Sequence, residues 1–487
     1  MKFDLLWNQN GFSESTIEEY VFDDFDLMSM FSDLINYNYN FLMPTVLQIP
    51  DYNTVLFRQQ VMIDFLNDKK NVLESIKDSL DNLILLYKKY IDSKHIFYKT
   101  VNFLLFIESY LAFVENTVLL VNDVDFVSSE LNRFKKFLND EANSENLKIL
   151  KTDFIISFNH FDNMRNFAVY QEAKALRVAH SFGKTKFEDR LLELSKRLNI
   201  EVNPYKGGGK KDKLSGHYLE AIIELYQEDY QYLVDFYNKY HDLNFELENL
   251  SYDFAYFLFF KTFIEKVASK NIPLSKVNIN KKGIITFKEL YDITLISKTD
   301  YIISNDVLLD KDHHIELITG VNSGGKTSYI RSIGINYILS LLTGHAFCKE
   351  ANIYPVKYLQ THFPNDENFK IGFGRLNDEL SRLEKMSATF SMDSFIILNE
   401  TFSSTDEMTA NKYTLELLDK LNTTHTFCLY VTHQQKLFDC TLPTSVKVLS
   451  PTIDINDNNK RLYKLMVVTD KASSYTYDIW PDKRPIK

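Results

Sequence analysis

Apolar residues recur every three or four positions through the first part of the chain, up to about residue 270, which is the spacing of an amphipathic α-helix. The two clearest stripes are Met62, Phe65, Leu66, Leu73, Ile76, Leu80 and Leu83, and Leu243, Leu247, Leu250, Phe254, Phe257, Ile264 and Val267. We interpret both as helix faces buried in a protein core and not as a cofactor pocket. The second stripe is long enough for a long packed helix or a short coiled-coil seam.

The pattern changes near residue 284, where short β-rich runs begin to alternate with helical segments. The predicted strands are 284–287, 315–318, 394–398 and 426–431, and the clearest helices between them are 326–342 and 410–421. Seven of the 14 glycines lie between Gly320 and Gly374, whereas the long helical part contains few. Alternating strands and helices predict an α/β sheet with parallel strands.

The composition is that of a globular protein of two or three domains. The 487 residues are 45% hydrophobic and 25% charged, within the usual range for such proteins. Three cysteines are too few for a disulfide framework, and their spacing fits no zinc site. The most apolar stretches, 102–121 and 254–267, both contain charged side chains, and the first residues lack the pattern of a signal peptide. We therefore expect a cytoplasmic protein without a membrane-spanning segment.

The formal net charge is -11, so any contact with DNA has to come from a local basic patch and not from the whole surface. One candidate is the stretch 460–487, which has seven Lys or Arg residues and three Asp residues. Another is the glycine- and lysine-rich segment 205–213. That segment is either a solvated hairpin tip or a tip that touches DNA phosphates, and the sequence leaves both open.

The segment from Gly320 to Thr327 has the sequence GVNSGGKT and fits the phosphate-binding pattern GxxxxGK[ST] completely. It follows a predicted strand and opens a predicted helix, which is the context that the pattern requires. Glycines let consecutive N–H groups surround phosphate oxygens, and the helix N-terminus adds partial positive charge. We predict that Lys326 reaches the β- and γ-phosphates and that Thr327 is a Mg²⁺ ligand. The predicted cofactor-binding residues are Gly320, Val321, Asn322, Ser323, Gly324, Gly325, Lys326, Thr327 and Ser328.

A second candidate is the apolar run that ends in Asn399 and Glu400. In phosphate-binding ATPases a strand at this position usually ends in an Asp that holds Mg²⁺. We predict Asn399 as a metal ligand here, although a neutral amide oxygen binds a hard dication more weakly than a carboxylate does. Glu400 is the predicted catalytic carboxylate, which orients and polarises the attacking water. The alternative is a core strand capped by two polar residues.

Two further elements support a nucleotide site. The predicted strand 426–431 is followed by Thr432 and His433, which can aim an imidazole at a bound γ-phosphate. The glycine turn 372–374 opens another helix, and in two-subunit ATPases such a turn presents N–H groups to the partner's nucleotide. A histidine after a strand is often incidental, and the glycine turn can be a plain helix cap. We predict His433 as a catalytic residue.

These elements, in this order, resemble the ATPase domain of the DNA mismatch repair MutS family. Residues 319–327 (TGVNSGGKT) are similar to the family's TGPNMGGKS, residues 399–405 (NETFSST) to its DEIGRGT, and residues 431–433 (VTH) to its ATH. These matches are the most specific part of the resemblance, because they carry the phosphate-binding and catalytic positions.

The resemblance extends beyond the three motifs. Asn305 stands before the glycine loop, where the family has a PND segment near the adenine, and residues 471–475 (KASSY) are similar to its ASKSYG. In the helical part, residues 57–60 and 250–253 resemble the start of the MutS core domain and the helix that returns from the lever. The resemblance therefore covers about residues 51 to 487 and is most specific in the α/β part.

The resemblance implies an α + α/β fold, with a long-helix core and lever region followed by a P-loop, ABC-like α/β ATPase domain. The implied segments are an N-terminal segment 1–50, a helical core and lever domain 51–283, and an ATPase domain 284–487. The implied cofactors are ATP and Mg²⁺, with Asn305 near the adenine. The implied partners are duplex or branched DNA and a second copy of the chain, which forms a homodimer through the ATPase domain with the turn at Gly374 acting on the partner's nucleotide.

Departures from the family pattern qualify the expected activity. Few residues precede the core-like region, so we expect the mismatch-reading N-terminal domain to be absent, and the lever tip between Asp189 and Gly216 is short. Asn399 replaces the family's Asp, and the signature serine position falls near Leu376 or Asn377. We expect an ATP-dependent DNA-binding protein of the mismatch-repair type, an ATPase whose hydrolysis is slow. The alternative is a slow or inactive nucleotide-binding scaffold that regulates protein partners without recognising mismatches.

Overall fold

The computed structural model describes residues 4–7, 15–31, 39–172, 223–224, 226–243, 248–299, 301–320, 324–363, 375–403, 405–434, 437, 440–454 and 460–468. Contacts group the chain into two compact units, which are described separately. The helical unit is Lys69–Ser251, and the sheet unit is Asp4–Asp68 together with Tyr252–Lys487.

Helices dominate the described residues up to residue 268, and the named strands begin at residue 275. In chain order the helices are α1 (Glu19–Asp24), α2 (Leu27–Met30), α3 (Tyr39–Val46), α4 (Tyr52–Asn67), α5 (Val72–Ile91), α6 (Ile96–Asn122), α7 (Ser129–Asn143), α8 (Glu145–Glu172), α9 (Gln227–Tyr240), α10 (Glu248–Ala268), α11 (Lys326–Thr343), α12 (Arg375–Ser387) and α13 (Glu407–Thr423). The strands are β1 (Ser275–Lys276), β2 (Asn278–Ile279), β3 (Ile285–Leu290), β4 (Asn305–Leu309), β5 (Ile315–Ile318), β6 (His345–Ala346), β7 (Glu350–Ile353), β8 (Tyr358–His362), β9 (Ser394–Asn399), β10 (Phe427–Val431), β11 (Val446–Asp454) and β12 (Lys460–Val467). This order confirms the prediction that a helical region precedes an α/β region.

The helical unit is organised around α6, which packs against α5, α7, α8 and α9. Its buried aromatic side chains include Phe103, Phe106 and Phe113. Among the described residues, α6 is the one helix that is long and apolar enough to cross a membrane by length and composition, and 50% of its most apolar window is buried inside the protein. Its apolar residues are therefore used largely for packing among neighbouring helices.

The two apolar stripes of the sequence fall on the helices with one break that the spacing did not predict. Asn71 has φ 54° and separates α4 from α5, so the first stripe belongs to two helices and not to one. The second stripe lies in α10 from Leu250 to Val267, both of which are buried. Leu243 is 43% exposed and lies outside α10 as described, Glu248–Ala268.

The sheet unit contains a six-stranded sheet in the order β12-β11-β5-β10-β9-β8. The strands from β11 to β8 are parallel, and β12 pairs with β11 in the antiparallel direction. Side chains alternate between the two faces of β9. Ile396 and Leu398 join a core with Leu418 of α13, whereas Phe395 contacts Tyr337 of α11. Helices therefore cover both faces, as strands that are apolar at nearly every position require.

A four-stranded sheet, β2-β7-β3-β4, and a β1–β6 pair belong to the same unit. Asn305, the first residue of β4, joins this smaller sheet to the edge of the large one. Its Nδ2 donates to the carbonyl of Tyr463 at 3.1 Å, and its Oδ1 accepts from the N–H of Leu465 at 2.8 Å. One side chain thus satisfies two backbone groups of the edge strand β12.

Helices α4 and α10 hold the C-terminal end of α11. Gln59 of α4 donates from Nε2 to the carbonyl of Gly344 at 2.7 Å and to that of Val277 at 2.8 Å. Tyr256 of α10 donates from its hydroxyl to the carbonyl of Leu342 at 3.0 Å. These bonds satisfy carbonyl groups that a helix end leaves without an intrahelical partner.

The residues around α1 are part of the sheet unit. Asp24 is buried and accepts a hydrogen bond from the hydroxyl of Thr361 in β8. Asp26 forms an ion pair with Arg331 of α11 at 3.1 Å. These contacts fix the residues around α1 against both an edge strand and the helix that follows the glycine-rich segment.

The predicted boundaries at residues 50 and 283 concern sequence segments and stay predictions. The compact units divide the chain differently, since they place Asp4–Asp68 with Tyr252–Lys487. The physical reason is that α4 and α10 bury polar and apolar groups against α11. A helical spacing shows which face of a helix is buried, but it does not show which neighbour buries that face.

Candidate functional site

Three parallel strands of the six-stranded sheet end side by side. Ile318 of β5, Val431 of β10 and Asn399 of β9 are register neighbours. The N–H of Thr432 donates to the carbonyl of Ile318 at 2.9 Å and extends this pairing by one residue. Since the three strands run in one direction, the residues that follow them leave the sheet at one edge, which is where open α/β sheets bind ligands.

The glycine loop, residues 320–325, leaves the sheet at that edge and leads into α11. Gly320 has φ 115° and Gly325 has φ 91°, a region of backbone conformation in which any side chain is strained. A Cβ on Gly320 would also lie 2.6 Å from the hydroxyl oxygen of Ser450. The predicted site residues Val321, Asn322 and Ser323 lie outside the described residues, and Gly324 is buried.

Lys326 begins α11 and is 5% exposed. Its Nζ donates to the carbonyl of Gly320 at 2.8 Å, so the side chain folds back across the glycine loop. Burial lowers the pKa of Lys326, and the nearby carboxylate of Glu400 raises it in part. A buried cation at a helix N-terminus is suited to bind phosphate oxygens.

Thr327 and Ser328 follow in the first turn of α11, and both are half-buried. Burial raises the pKa of Asp292, whereas hydrogen bonds from Thr294 and from the hydroxyl of Ser328 lower it. Ser328 is therefore in contact with the carboxyl group that caps the turn before β4. The predicted roles of Thr327 in binding Mg²⁺ and of Ser328 in binding the cofactor stay predictions.

Asn399 is the last residue of β9 and is buried. Its Oδ1 has no hydrogen-bond partner among the described residues, although a buried amide oxygen normally has one. An orphaned oxygen at this edge fits a ligand of Mg²⁺, which prefers oxygen donors and keeps several non-protein ligands. No group of three or more His, Cys, Asp or Glu residues suited to a metal occurs in the described part of the chain. A metal here would depend on oxygens such as those of Asn399 and Thr327 and on phosphates of the nucleotide.

Glu400 and His433 form a pair that follows β9 and β10. His433 Nε2 lies 2.6 Å from Glu400 Oε1, and the side chains are 39% and 34% exposed, respectively. Glu400 has φ 52°, and its N–H donates to the carbonyl of Val431 at 2.9 Å. A residue other than glycine keeps such a conformation only where its surroundings impose it. The structure thus brings together the two residues that were predicted to be catalytic.

The turn after Glu400 is fastened at two further points. The hydroxyl of Tyr430 donates to the carbonyl of Thr401 at 3.4 Å. The N–H of Phe402, a second residue in the left-handed region with φ 64°, donates to Glu379 Oε2 at 3.2 Å. Glu379 belongs to α12 and is buried. Two neighbouring elements therefore hold the backbone that presents Glu400.

Some predicted positions are used differently or lie outside the described residues. Asn305 joins β4 to β12 through both polar atoms of its amide, and its predicted place near the adenine stays a prediction. The glycine turn 372–374 and the basic segment 205–213 lie outside the described residues. The same holds for most of the basic stretch 460–487, of which residues 460–468 are described.

The sequence pattern did not single out Glu379 or Tyr463. The ring of Tyr463, which is 48% exposed, comes within 3.3 Å of the position of a Cβ on Gly325. Tyr463 belongs to none of the motifs, and Glu379 ends the glycine-rich segment 372–379 that was predicted to open a helix, without a predicted role of its own. A polar residue at a buried position of α12 was the one available signal for Glu379.

The family model MutS domain V matches residues 316–481. The DNA mismatch repair protein MutS of Orientia tsutsugamushi (strain Ikeda) is 26% identical over 187 residues, which are 38% of this chain and 21% of that protein. Endonuclease MutS2 of Clostridioides difficile (strain 630) is 22% identical over 195 residues, which are 36% of this chain and 22% of that protein. The matches thus span about a fifth of the length of these relatives.

Proposed function

The chain is a MutS-family protein, and from that premise we propose that it is an ATP-dependent switch. It binds ATP with Mg²⁺ at the glycine loop, hydrolyses ATP with Glu400 and couples both steps to the engagement of DNA. The observation that carries this proposal is that Lys326, Glu400 and His433 meet where β5, β9 and β10 end.

ATP binding uses the glycine loop and the start of α11. Lys326 Nζ would exchange the Gly320 carbonyl for a phosphate oxygen of the bound nucleotide, because a phosphate oxygen is the stronger acceptor for an ammonium group. The N-terminus of α11 adds backbone N–H groups and partial positive charge. The burial of Lys326 strengthens this interaction, since it keeps water away from the charge pair.

Asn399 and Thr327 are the side chains that would hold Mg²⁺. A bound Mg²⁺ would neutralise part of the negative charge on the phosphate oxygens. Asn399 brings no negative charge to this pair of ligands, so the protein contributes less electrostatic attraction than an Asp would. We therefore propose that hydrolysis by this chain is slow.

Glu400 orients the attacking water and accepts a hydrogen bond from it, as a carboxylate beside the γ-phosphate does in related chemistry. His433 is within hydrogen-bond distance of Glu400 and so fixes the direction of the carboxylate. When the γ-phosphate is present, the imidazole of His433 is placed to turn towards it. His433 thereby links the catalytic carboxylate to the state of the nucleotide.

The nucleotide state reaches the helices through α11. Its N-terminus carries Lys326, and its C-terminal end is bonded to Gln59 of α4 and Tyr256 of α10. A shift of α11 on closure around ATP would be carried to α4 and α10, which lead along the chain into the helical unit. We propose that this is how ATP changes the engagement of DNA.

Two partners follow from this proposal. One is a second copy of the chain, which meets the ATPase domain and places its Gly374 turn on the nucleotide. The other is duplex or branched DNA, for which the basic segments 205–213 and 460–487 are the candidate contacts. The acidic net charge of -11 makes such local contacts necessary.

A second candidate function is a nucleotide-binding scaffold that regulates protein partners with little or no turnover. Asn399 favours it, because the usual carboxylate ligand is missing at that position. Turnover of the variant Asn399→Asp separates the two functions. A large gain would indicate a degenerate site and support the scaffold, whereas an unchanged rate would mean that the amide is sufficient.

The test of the main proposal is binding of a fluorescent ATP analogue with and without Mg²⁺, followed by ATP turnover with and without duplex and branched DNA. Lys326→Ala should lower nucleotide affinity by roughly 100-fold, on the scale of a lost charge-assisted contact in a shielded site. Lys311→Ala, an exposed lysine of the same unit, is the matched control and should leave affinity unchanged. Nucleotide binding without any effect of DNA would contradict the switch and favour the scaffold.

A further inference from the structure

The helix that begins one residue after the Gly374 turn also reaches the catalytic turn of its own chain. This helix is α12, and Glu379 is its buried carboxylate. Glu379 Oε2 accepts the N–H of Phe402 at 3.2 Å, across 23 residues of sequence. The contact lies two residues beyond Glu400, on the backbone that sets the direction of the catalytic side chain.

That backbone has a conformation that it would not keep without support. Glu400 and Phe402 have φ values of 52° and 64°, and each such residue other than glycine costs of the order of 1–3 kcal/mol. The bonds at Glu400 and Thr401 come from β10, through the carbonyl of Val431 and the hydroxyl of Tyr430. The bond at Phe402 comes from α12, so α12 controls one end of the turn.

The chemistry of this bond suits a positioning role. A carboxylate that accepts a backbone N–H forms a charge-assisted hydrogen bond, which is stronger than a bond between neutral groups. The ring of Phe402 is buried and lies 5.6 Å from the ring of Tyr413, so the second residue after the catalytic carboxylate is fixed by packing as well. Loss of the Glu379 bond would release the N–H of Phe402 and loosen that end of the turn, whereas the bonds from β10 at Glu400 and Thr401 would remain.

We propose that Glu379 is a positioning residue for hydrolysis: by holding the N–H of Phe402, it keeps the Glu400 carboxylate aimed beside His433 and makes that aim depend on the position of α12. The inference rests on the proposed ATPase. It adds a link within one chain between the helix that follows the Gly374 turn and the carboxylate that orients water.

The test compares Glu379→Ala, Glu379→Gln and wild type in the full chain. Nucleotide affinity should stay within about twofold in both variants, because the proposed role of Glu379 is to hold the N–H of Phe402 in the turn after Glu400. The turnover number should fall about 10- to 100-fold for Glu379→Ala, the scale that follows from a small misplacement of a catalytic group. Glu379→Gln keeps an acceptor oxygen at the same position, so it should retain most of the turnover. It keeps the test valid if the alanine variant does not fold.

A second readout separates positioning from general stability. Hydrogen exchange of the Phe402 amide should be at least about tenfold faster in Glu379→Ala. Glu384→Ala, which removes an exposed glutamate of the same helix, should change neither exchange nor turnover. Faster exchange with unchanged turnover would overturn the proposal, and so would unchanged exchange. No turnover in wild type would instead contradict the ATPase itself, and with it any role of Glu379 in hydrolysis.

Discussion

A glycine flanks each end of helix α11, but the two glycines have different surroundings. Gly325 precedes the helix with φ 91°, and Gly344 follows it with φ 70°. Among the described residues, a Cβ on Gly325 would come closest to the ring of Tyr463, at 3.3 Å, whereas one on Gly344 would lie 2.4 Å from Cβ of Gln59. One glycine therefore keeps space beside a loop, and the other lets a second helix approach the backbone.

We call the N-terminal end of α11, at Gly325 and Lys326, the receptive end and its C-terminal end, at Leu342 and Gly344, the anchored end. Near the N-terminus lie the buried side chain of Lys326 and the oxygen Asn399 Oδ1, which has no hydrogen-bond partner among the described residues, and both suit an incoming ligand. At the C-terminus the carbonyls of Leu342 and Gly344 are already satisfied by Tyr256 and Gln59. A displacement that begins at the nucleotide would therefore be resisted, and transmitted, at the anchored end.

The largest effect on stability is expected at the anchored end. Gly344→Ala should lower the free energy of unfolding by roughly 2–5 kcal/mol, because the left-handed conformation strains any side chain and the new methyl group overlaps Gln59. Gly283→Ala is the matched control, since Gly283 also has φ 70° but its nearest side-chain atom is 3.8 Å from the added Cβ. The difference between their urea unfolding midpoints measures the overlap. Equal midpoints for the two variants would show that the approach of Gln59 is unimportant.

The receptive end contains a buried titratable group, which gives the second prediction. Glu316 of β5 accepts a hydrogen bond from the hydroxyl of Tyr329 at 2.8 Å, and burial raises the pKa of Glu316 to about 7 while that bond lowers it in part. Because folding raises the pKa of Glu316, the protonated carboxyl group favours the folded state, and this stabilisation is complete below the pKa of the unfolded chain. It is lost as the pH rises through about 7, where the carboxyl group ionises in the folded protein. Tyr256 at the anchored end does not titrate in this range, because burial raises its pKa to about 12, an effect that Arg58 lowers in part.

Glu316→Gln should therefore make the protein more stable than wild type at pH 8, by roughly 3 kcal/mol. At pH 5 the difference should be much smaller, since Glu316 is then mostly protonated in the folded state. Urea unfolding at pH 5, 6, 7 and 8 measures the change, and Glu416→Gln, at a glutamate of α13 that is 60% exposed, is the control. A difference that is the same at all four pH values would contradict the role of the buried carboxyl group.

The elements around α11 differ in how far the sequence predicted them. The strands β5, β9 and β10 and the start of α11 at Lys326 agree with the predicted segments, because their apolar runs and the glycine pattern are local signals. The resemblance to the MutS family, which rests on the same segments, is confirmed by the match to residues 316–481. Local signals were sufficient there because the residues that make the loop are consecutive in sequence.

The anchored end could not be predicted in the same way. The bond from Gln59 to Gly344 joins residues 285 positions apart, and the bond from Glu379 to Phe402 joins residues on different elements. A polar residue within an apolar stripe indicates a buried polar contact but not its partner. The sequence likewise placed a boundary before residue 51, whereas Asp24 is bonded to Thr361 of the large sheet. These contacts depend on the topology, which the spacing of apolar residues does not contain.

The third prediction removes the anchor without adding strain. Gln59→Ala removes the amide from which the carbonyls of Val277 and Gly344 both accept, although the Gly344 carbonyl keeps its bond from the N–H of Val277. The lost bonds should cost about 1–3 kcal/mol of unfolding free energy. The double variant Gly344→Ala/Gln59→Ala should be less damaged than the sum of the single variants, because the added methyl group then has room. A strictly additive result in the double-mutant cycle would mean that the two groups do not meet.

The smallest change in stability is expected for Gly325→Ala at the receptive end. Its cost should be about 1–2 kcal/mol, from the left-handed conformation alone, since the ring of Tyr463 can move aside. Affinity for the nucleotide should fall at least tenfold in the same variant, because the N–H groups at the start of α11 are displaced from the phosphates. Gly344→Ala should show the reverse balance, with a large loss of stability and unchanged affinity per folded molecule. If both variants lost affinity to the same extent, the two ends of the helix would not be functionally distinct, and the coupling through α11 would have to be described as a property of the whole helix.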